Sequence, residues 1–271
     1  MTTPPIVPPA RSIRADAKFH TMRLLGRTVS LAARSTGRLR GQTLRQGSFS
    51  VLTVNWNSVD FLAAQLKAVE RFSPPDTQVI VVDNASADGS RELLKASQIK
   101  SVLLPINIGH GPALDIATAL VTTEFFVTLD IDAFPISNDW LTVLRSYLDS
   151  GSRVVGGHMH RGFAHPSMLA MRTRDFRDRK HTFVRSSWRT SADFEHGKSW
   201  DVGELISMRE PERVALVQPS EVRGPGVIGT VYGGIVYHNA CSTHGREKNR
   251  IQARAAWTDA QDRFLGSGTT G

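Results

Sequence analysis

The chain has 271 residues, of which 40% are hydrophobic, enough for one large domain with a sizeable core. Its single cysteine, Cys241, excludes an intramolecular disulfide and fits a reducing compartment. No apolar run is long enough to span a bilayer, and the opening MTTPPIVPPA lacks the apolar core of a secretory signal.

The net charge of +8 is not spread evenly. Residues 11–45 carry nine basic side chains (Arg11, Arg14, Lys18, Arg23, Arg27, Arg34, Arg38, Arg40 and Arg45) against one acid, Asp16. The rest of the chain is formally neutral, which argues against a nucleic-acid-binding domain. Within this arm (residues 1–47), Phe19, Met22, Leu25, Val29 and Ala33 fall at helical spacing, with most of the basic residues elsewhere on the wheel. Such a basic amphipathic stretch lies on an anionic membrane, packs on its own domain or forms a disordered tail.

From residue 48 onward, strand and helix patterns alternate. FSVLTVNWNS (49–58) reads as a buried strand running into a loop, with Ser58 placed to cap the helix 59–72, which prolines 74 and 75 stop. QVIVVDNAS (78–86) is a second strand, and ADGSRELLKAS (87–97) holds a short helix. SVLLP (101–105) is a third strand, followed by the glycine-bearing loop and helix of NIGHGPALDIATALV (107–121). EFFVTLDID (124–132) is a fourth strand, 137–150 a helix, and RVVGG (153–157) a fifth strand. Farther on, 166–176 reads as a strand leading into a turn and 200–210 as a helix, with strands and a glycine-rich loop after them. Strict alternation predicts an α/β fold, a mostly parallel sheet with helices on both faces. Ligands of such sheets bind beyond the carboxyl ends of the strands. Asn55, Asn57, Asp83, Asn84, Asp130 and Asp132 collect at those ends.

The stretch FFVTLDIDAFP places two acids after an apolar run. Adjacent buried anions are costly unless something positive holds them or they reach solvent. At strand spacing Asp130 and Asp132 point the same way, and two oxygen donors so placed can share a divalent cation; a turn near Pro135 is the plainer alternative.

Together, SVLTVNWNS, VIVVDNASADGS, NIGHGPALD and FFVTLDIDAFP, in this order and spacing, resemble family 2 glycosyltransferases of the GT-A fold. The resemblance is closest over residues 48–150. It implies a GT-A domain over 48–271, with a Rossmann-like nucleotide-sugar half (48–157) and an acceptor half (158–271). It further implies that Asn55, Asp83, Asn84, Asn107, Gly109 and Asp130 bind the nucleotide-sugar. Asp130, Asp132 and His238, the last in VYHNACSTHGRE, would hold Mn²⁺ or Mg²⁺, with His244 the alternative histidine. The segment SWDVGELISMR resembles the family's base-bearing helix. It implies that Asp201 takes the acceptor's proton, with Glu204 as the second candidate. The chain departs from the family pattern at Trp56, His110, Asp115 and Trp200. The basic stretch 172–189 lies in sequence between the DxD and the base helix, where it could hold a phosphate-bearing acceptor or form a solvated loop.

The expected protein is therefore a cytoplasmic, metal-dependent, inverting transferase of cell-envelope polysaccharide synthesis. It would move a sugar from a nucleotide-diphospho-sugar to a glycan, glycolipid or polyprenyl-linked acceptor, with peripheral membrane contact through residues 11–45. A nucleotidyltransferase fits less well, because VNWNSVD is neither glycine-rich nor basic. The alternative from another class is a non-catalytic GT-A-like or basic scaffold that binds membrane or nucleic acid through the arm.

Overall fold

The computed structural model describes residues 24–36, 43–158, 163–184, 202–222, 229–239 and 247–266. Asp201, Cys241, His244 and most of the arm lie outside these residues.

Seven strands form the main sheet in the order β3-β2-β1-β4-β7-β6-β8. The first four, β1 (Arg45–Asn55), β2 (Gln78–Asp83), β3 (Lys100–Leu103) and β4 (Thr123–Leu129), run parallel. Between them lie α2 (Val59–Phe72), α3 (Ser90–Ala96) and α4 (His110–Ala119). After α5 (Trp140–Asp149), β6 (Val154–His158) pairs antiparallel with β7 (Ala164–Arg172), which pairs antiparallel with β4. β8 (Val214–Val217) runs parallel to β6 at the edge. A second, antiparallel sheet has the order β5-β11-β10-β9, built from β5 (Ala133–Pro135), β9 (Pro219–Val222), β10 (Thr230–Tyr232) and β11 (Val236–His238).

Alternation along the central strands sets the layers. On β4, Phe125, Val127 and Leu129 join Trp140, Leu141 and Leu144 of α5 and Tyr232 and Val236 of the second sheet. Phe126 points the other way, into a core closed by Ala113, Leu114 and Ala117 of α4, Phe176 of α6 (Thr173–Asp178) and Ile206 of α7 (Glu204–Arg209). α8 (Glu247–Leu265) has no counterpart in the sequence reading; its Trp257 packs on Phe61 and Phe134.

Three local expectations change. Ser58 stands at the start of α2, but its hydroxyl donates to the Trp56 carbonyl, and the Asp88 carboxylate takes the Val59 N–H instead, at 2.8 Å. Of the predicted 200–210 helix, the described residues 202–210 are helical over Glu204–Arg209. In the arm, a helix over residues 24–36 (α1) packs on the domain; of the described stripe residues, Val29 and Ala33 are half-buried and Leu25 is more exposed, while the fully buried positions lie beside the stripe. Gly26 and Ser30 are buried, and a Cβ at Gly26 would crowd the Ile108 carbonyl and Pro112. Leu24 and Leu31 are 68% and 57% exposed and Leu25 is half-exposed. The inward face is chosen by close approach and a buried polar contact to α4, so the leucines are left outside.

Candidate functional site

Chain reversal after β4 builds the acidic centre. β4 stops at Leu129, and the Ala133 N–H donates to the Asp130 carbonyl at 2.9 Å, so Asp130 and Asp132 sit in a turn rather than on the expected strand. Gln65 of α2 pins this turn by donating to the carbonyls of Asp130 and Ala133, both at 2.7 Å. The turn delivers the chain into β5, which pairs with β11 so that Ala133 faces His238, and the Asn239 N–H donates to the Asp132 carbonyl at 2.8 Å. Sheet register therefore carries His238, more than a hundred residues away in sequence, to the acids. One ligand atom from each of Asp130, Asp132 and His238 lies within 4.8 Å of the others.

Two further imidazoles face Asp130. His110 Nε2 is 3.3 Å from Asp130 Oδ1, His165 Nδ1 is 3.7 Å from Oδ2, and His238 Nε2 is 3.9 Å from Oδ2 and 3.5 Å from Asp132 Oδ1. Burial alone would raise the Asp130 carboxyl, but the His110 hydrogen bond and the nearby imidazoles outweigh it and hold it well below the usual carboxylate range. Burial would likewise lower His238, yet Asp132 and Asp130 raise it. The Asp130 carboxylate is thus kept ionised by the adjacent imidazoles, the environment a divalent cation supplies when bound. Two carboxylates and one imidazole in this arrangement suit Mn²⁺ or Mg²⁺, so the donor set fits the expected metal. His110 was visible in the sequence as a departure from the family pattern. His165, at the second position of β7, gave no signal beyond a histidine before Pro166.

The nucleotide-side candidates meet at the ends of β1 and β2. Asn55 donates to Asp83 Oδ2 at 2.9 Å and to the Ser86 hydroxyl at 3.0 Å. The other Asp83 oxygen accepts from the Ser86 N–H and from Arg91 Nε, both at 3.0 Å. Burial works against the Asp83 carboxylate, but these donors win and lower its pKa. Asn84 accepts the Ile108 N–H, and Asn107 accepts the Gly109 N–H, each at 2.9 Å. Gly109, at φ 93°, turns the chain into α4, a conformation a side chain would strain. These five residues thus order the loops beyond β1, β2 and β3, with Trp56 exposed on the rim.

Asp115 lies elsewhere, fully buried in the middle of α4. It accepts from the hydroxyls of Ser30 and Thr182 and from the Phe183 N–H at 2.9 Å, with Arg34 at 3.5 Å. Burial pushes its carboxyl up to about 6 despite those donors. It is a clamp joining α1, α4 and the segment 182–183. Close packing at Gly111, where a Cβ would run into the Phe183 carbonyl, seats the same segment.

Of the base candidates, Asp201 falls outside the described residues, and Glu204 opens α7 with only 1% of its surface exposed. In the described part of the basic stretch, three arginines are engaged by the protein itself. Arg172 pairs with Glu124 and Asp149, Arg177 donates to the Val121 carbonyl, and Arg179 reaches Glu210. All lie at the edge where β4 begins, opposite the DxD. The reason is topological: β7 is antiparallel to β4, so the chain leaving β7 emerges at the far edge.

The sequence model of the family described as Glycosyl transferase family 2 matches residues 50–200. The chain belongs to this family. No curated protein sequence matches the chain. Among solved structures, the mannosyltransferase PcManGT from Pyrobaculum calidifontis, in complex with GDP-Man and Mn²⁺, is 16% identical with a TM-score of 0.51, covering 90% of this chain and 75% of that one. Glucosyl-3-phosphoglycerate synthase from Mycobacterium tuberculosis, in complex with Mn²⁺, UDP and glucosyl-3-phosphoglycerate, is 16% identical with a TM-score of 0.48, covering 86% and 83%. S. aureus TarS 1–349 in complex with UDP is 19% identical with a TM-score of 0.47, covering 62% and 57%. The chain thus spans little more than half of that TarS chain. The mostly parallel sheet with its helices is the GT-A fold expected from the family 2 motifs.

Proposed function

We propose that this family 2 chain is a metal-dependent, inverting glycosyltransferase acting on a nucleotide-diphospho-sugar. The observation that carries the reading is the convergence of Asp130, Asp132 and His238 at the strand ends, beside the loops ordered by Asn55, Asp83, Asn84, Asn107 and Gly109. A bound Mn²⁺ or Mg²⁺ supplies neutralisation of the charge that builds on the leaving diphosphate. Asp132 and His238 hold the ion, and Asp130 serves both it and the donor's sugar and ribose. His110 and His165 keep Asp130 oriented and ionised. Asp83 and Asn55 stiffen the wall of the base pocket. Asp201, or Glu204 three residues on, takes the proton of the acceptor hydroxyl as its oxygen attacks the anomeric carbon; one displacement inverts that centre. In this reading residues 48–157 form the donor half and 158–271 the acceptor half.

The acceptor is a saccharide, free or lipid-linked, in cell-envelope polysaccharide synthesis on the cytoplasmic side. The arm supports peripheral contact with an anionic bilayer: its sequence is strongly basic, and α1 turns Leu24 and Leu31 outward. No helix among the described residues is long and apolar enough to cross a membrane. The test is release of nucleoside diphosphate from UDP-, dTDP- and GDP-sugars with Mn²⁺ or Mg²⁺, with the product anomer read by NMR. Metal-dependent release and an inverted product are expected. A retained configuration would contradict the single inverting displacement, and no turnover of any donor would contradict the reading as a whole and favour a non-catalytic binding protein.

A further inference from the structure

The basic stretch that the donor site does not use contributes to a second feature. At the sheet edge where β6 and β8 begin, Arg153, Arg179, Arg209 and Arg213 line a cavity of about 310 Å³ together with Glu210, Pro211 and Glu212. Four guanidinium groups face two carboxylates, so the lining is formally positive. One of those carboxylates is already committed. Glu210 is buried; its Oε2 takes Arg153 Nη1 at 2.9 Å, and its Oε1 takes Arg179 Nη1 at 3.1 Å and meets His181 Nε2 at 3.2 Å. Glu212 is exposed.

The arginines are far from saturated by the protein. Arg153 and Arg179 each give Glu210 a single nitrogen, and their side chains remain 31% and 40% exposed. Arg213 Nη1 donates to the Gly151 carbonyl at 3.1 Å, and Arg209 Nη1 only grazes the Lys180 carbonyl at 3.5 Å. A guanidinium is a planar fork of several donors shaped to take two oxygens of a phosphate or carboxylate at once. Glu210 therefore acts as a spacer that holds two of the forks in place, while the other two close the rim. The volume is at the lower end of the range for small-molecule sites.

We propose that this cavity is an anion site for a phosphate-bearing ligand, separate from the donor site. It lies at the opposite edge of the sheet from Asp130 and Asp132, because β6 and β8 run parallel to each other and antiparallel to β7, as β4 does. α7 links the two edges. At its start Gly203 packs against Pro166 beside His165, and at its end the Glu210 carboxylate enters the arginine cluster. A ligand that draws Arg153 or Arg179 from Glu210 acts on the helix that begins at Glu204. The phosphate can belong to a soluble metabolite or to a lipid headgroup, since the recognition chemistry is the same.

The experiment is calorimetric titration of inorganic pyrophosphate into the full chain in EDTA, which keeps metal from the donor site. A parallel arm measures flotation with phosphatidylcholine vesicles with and without phosphatidic acid. The proteins are wild type, Arg209→Ala/Arg213→Ala, Arg213→Glu and Asp132→Asn. Neither arginine variant removes a partner of the Glu210 carboxylate, and both are expected to keep wild-type nucleotide binding with Mn²⁺. The proposal expects binding in wild type and Asp132→Asn, weakened about tenfold or more in both arginine variants. Pyrophosphate binding assigns a soluble ligand; binding only to phosphatidic acid vesicles, lost in the same variants, assigns a headgroup. No binding in either arm, equal binding in all four proteins, or loss confined to Asp132→Asn would overturn it.

Discussion

Two carboxylates, Asp130 and Asp115, lie at the two ends of one problem. Asp130 is half-buried and Asp115 fully buried; Asp130 is held far below the ordinary carboxylate range and Asp115 is pushed up to about 6. The difference lies in their partners. Asp130 faces imidazoles that can carry charge, in a turn whose backbone is pinned by Gln65. Asp115 faces hydroxyls and an N–H that satisfy its oxygens but bring little charge, with one guanidinium at 3.5 Å. An acid meant to meet a cation is kept ionised by its surroundings. An acid that joins helices needs only donors, and bears the cost of its burial.

The sharpest way to break the comparison is at the acidic turn. Asp132→Asn should weaken metal-dependent nucleotide binding by about a hundredfold or more while leaving the fold intact, as read by calorimetry beside circular dichroism. The mirror experiment is Asp115→Ala. It strands the Ser30 and Thr182 hydroxyls, the Phe183 N–H and Arg34, and should cost about 3 kcal/mol in urea unfolding. Donor affinity of the folded fraction should be unchanged.

Acidity sharpens the contrast. A carboxyl whose folded pKa lies near 6, above its unfolded value of 3.8, adds stability that is complete below the unfolded value and lost as pH rises through the folded one. The stability of wild type relative to Asp115→Asn should therefore rise as pH falls from about 7 to 4, by up to about 3 kcal/mol. A difference that is flat with pH would mean that Asp115 is ionised throughout. A smaller effect is expected from His165→Ala, which should weaken nucleotide–Mn²⁺ binding about tenfold without altering the midpoint of unfolding. The smallest effect on stability is expected from Leu24→Ser/Leu31→Ser, less than about 0.5 kcal/mol. That pair should nevertheless reduce flotation with anionic vesicles; unchanged flotation would remove α1 from the membrane contact.

Much of the donor side could be read from the chain, because it is local. β-branched runs end in Asn55, in Asp83 and Asn84, and in Asp130, so each polar group sits where its own strand stops. His238 could be read because it follows an apolar strand, although only the β5–β11 register shows how it reaches Asp132. What could not be read depends on long-range geometry. The arm's apolar stripe left open whether the helix lies on a membrane or on the domain, and it could not show that Gly26 and Ser30 face in, where a small residue and a hydroxyl suit close approach to α4 and Asp115. For the arginines of 172–179, their place between motifs left acceptor binding and a solvated loop both open. One antiparallel strand, β7, carries them to the other edge. α8 escaped because its exposed charged residues mask a narrow buried stripe of Ala253, Trp257 and Ala260.

The measurement that bears most directly on the central claim is calorimetric binding of UDP, dTDP and GDP, with and without Mn²⁺, to wild type and Asp132→Asn. The account predicts that one nucleotide binds wild type in a Mn²⁺-dependent way and that the substitution abolishes this. Absence of binding by every nucleotide to well-folded wild type, or binding that ignores both Mn²⁺ and Asp132, would contradict it.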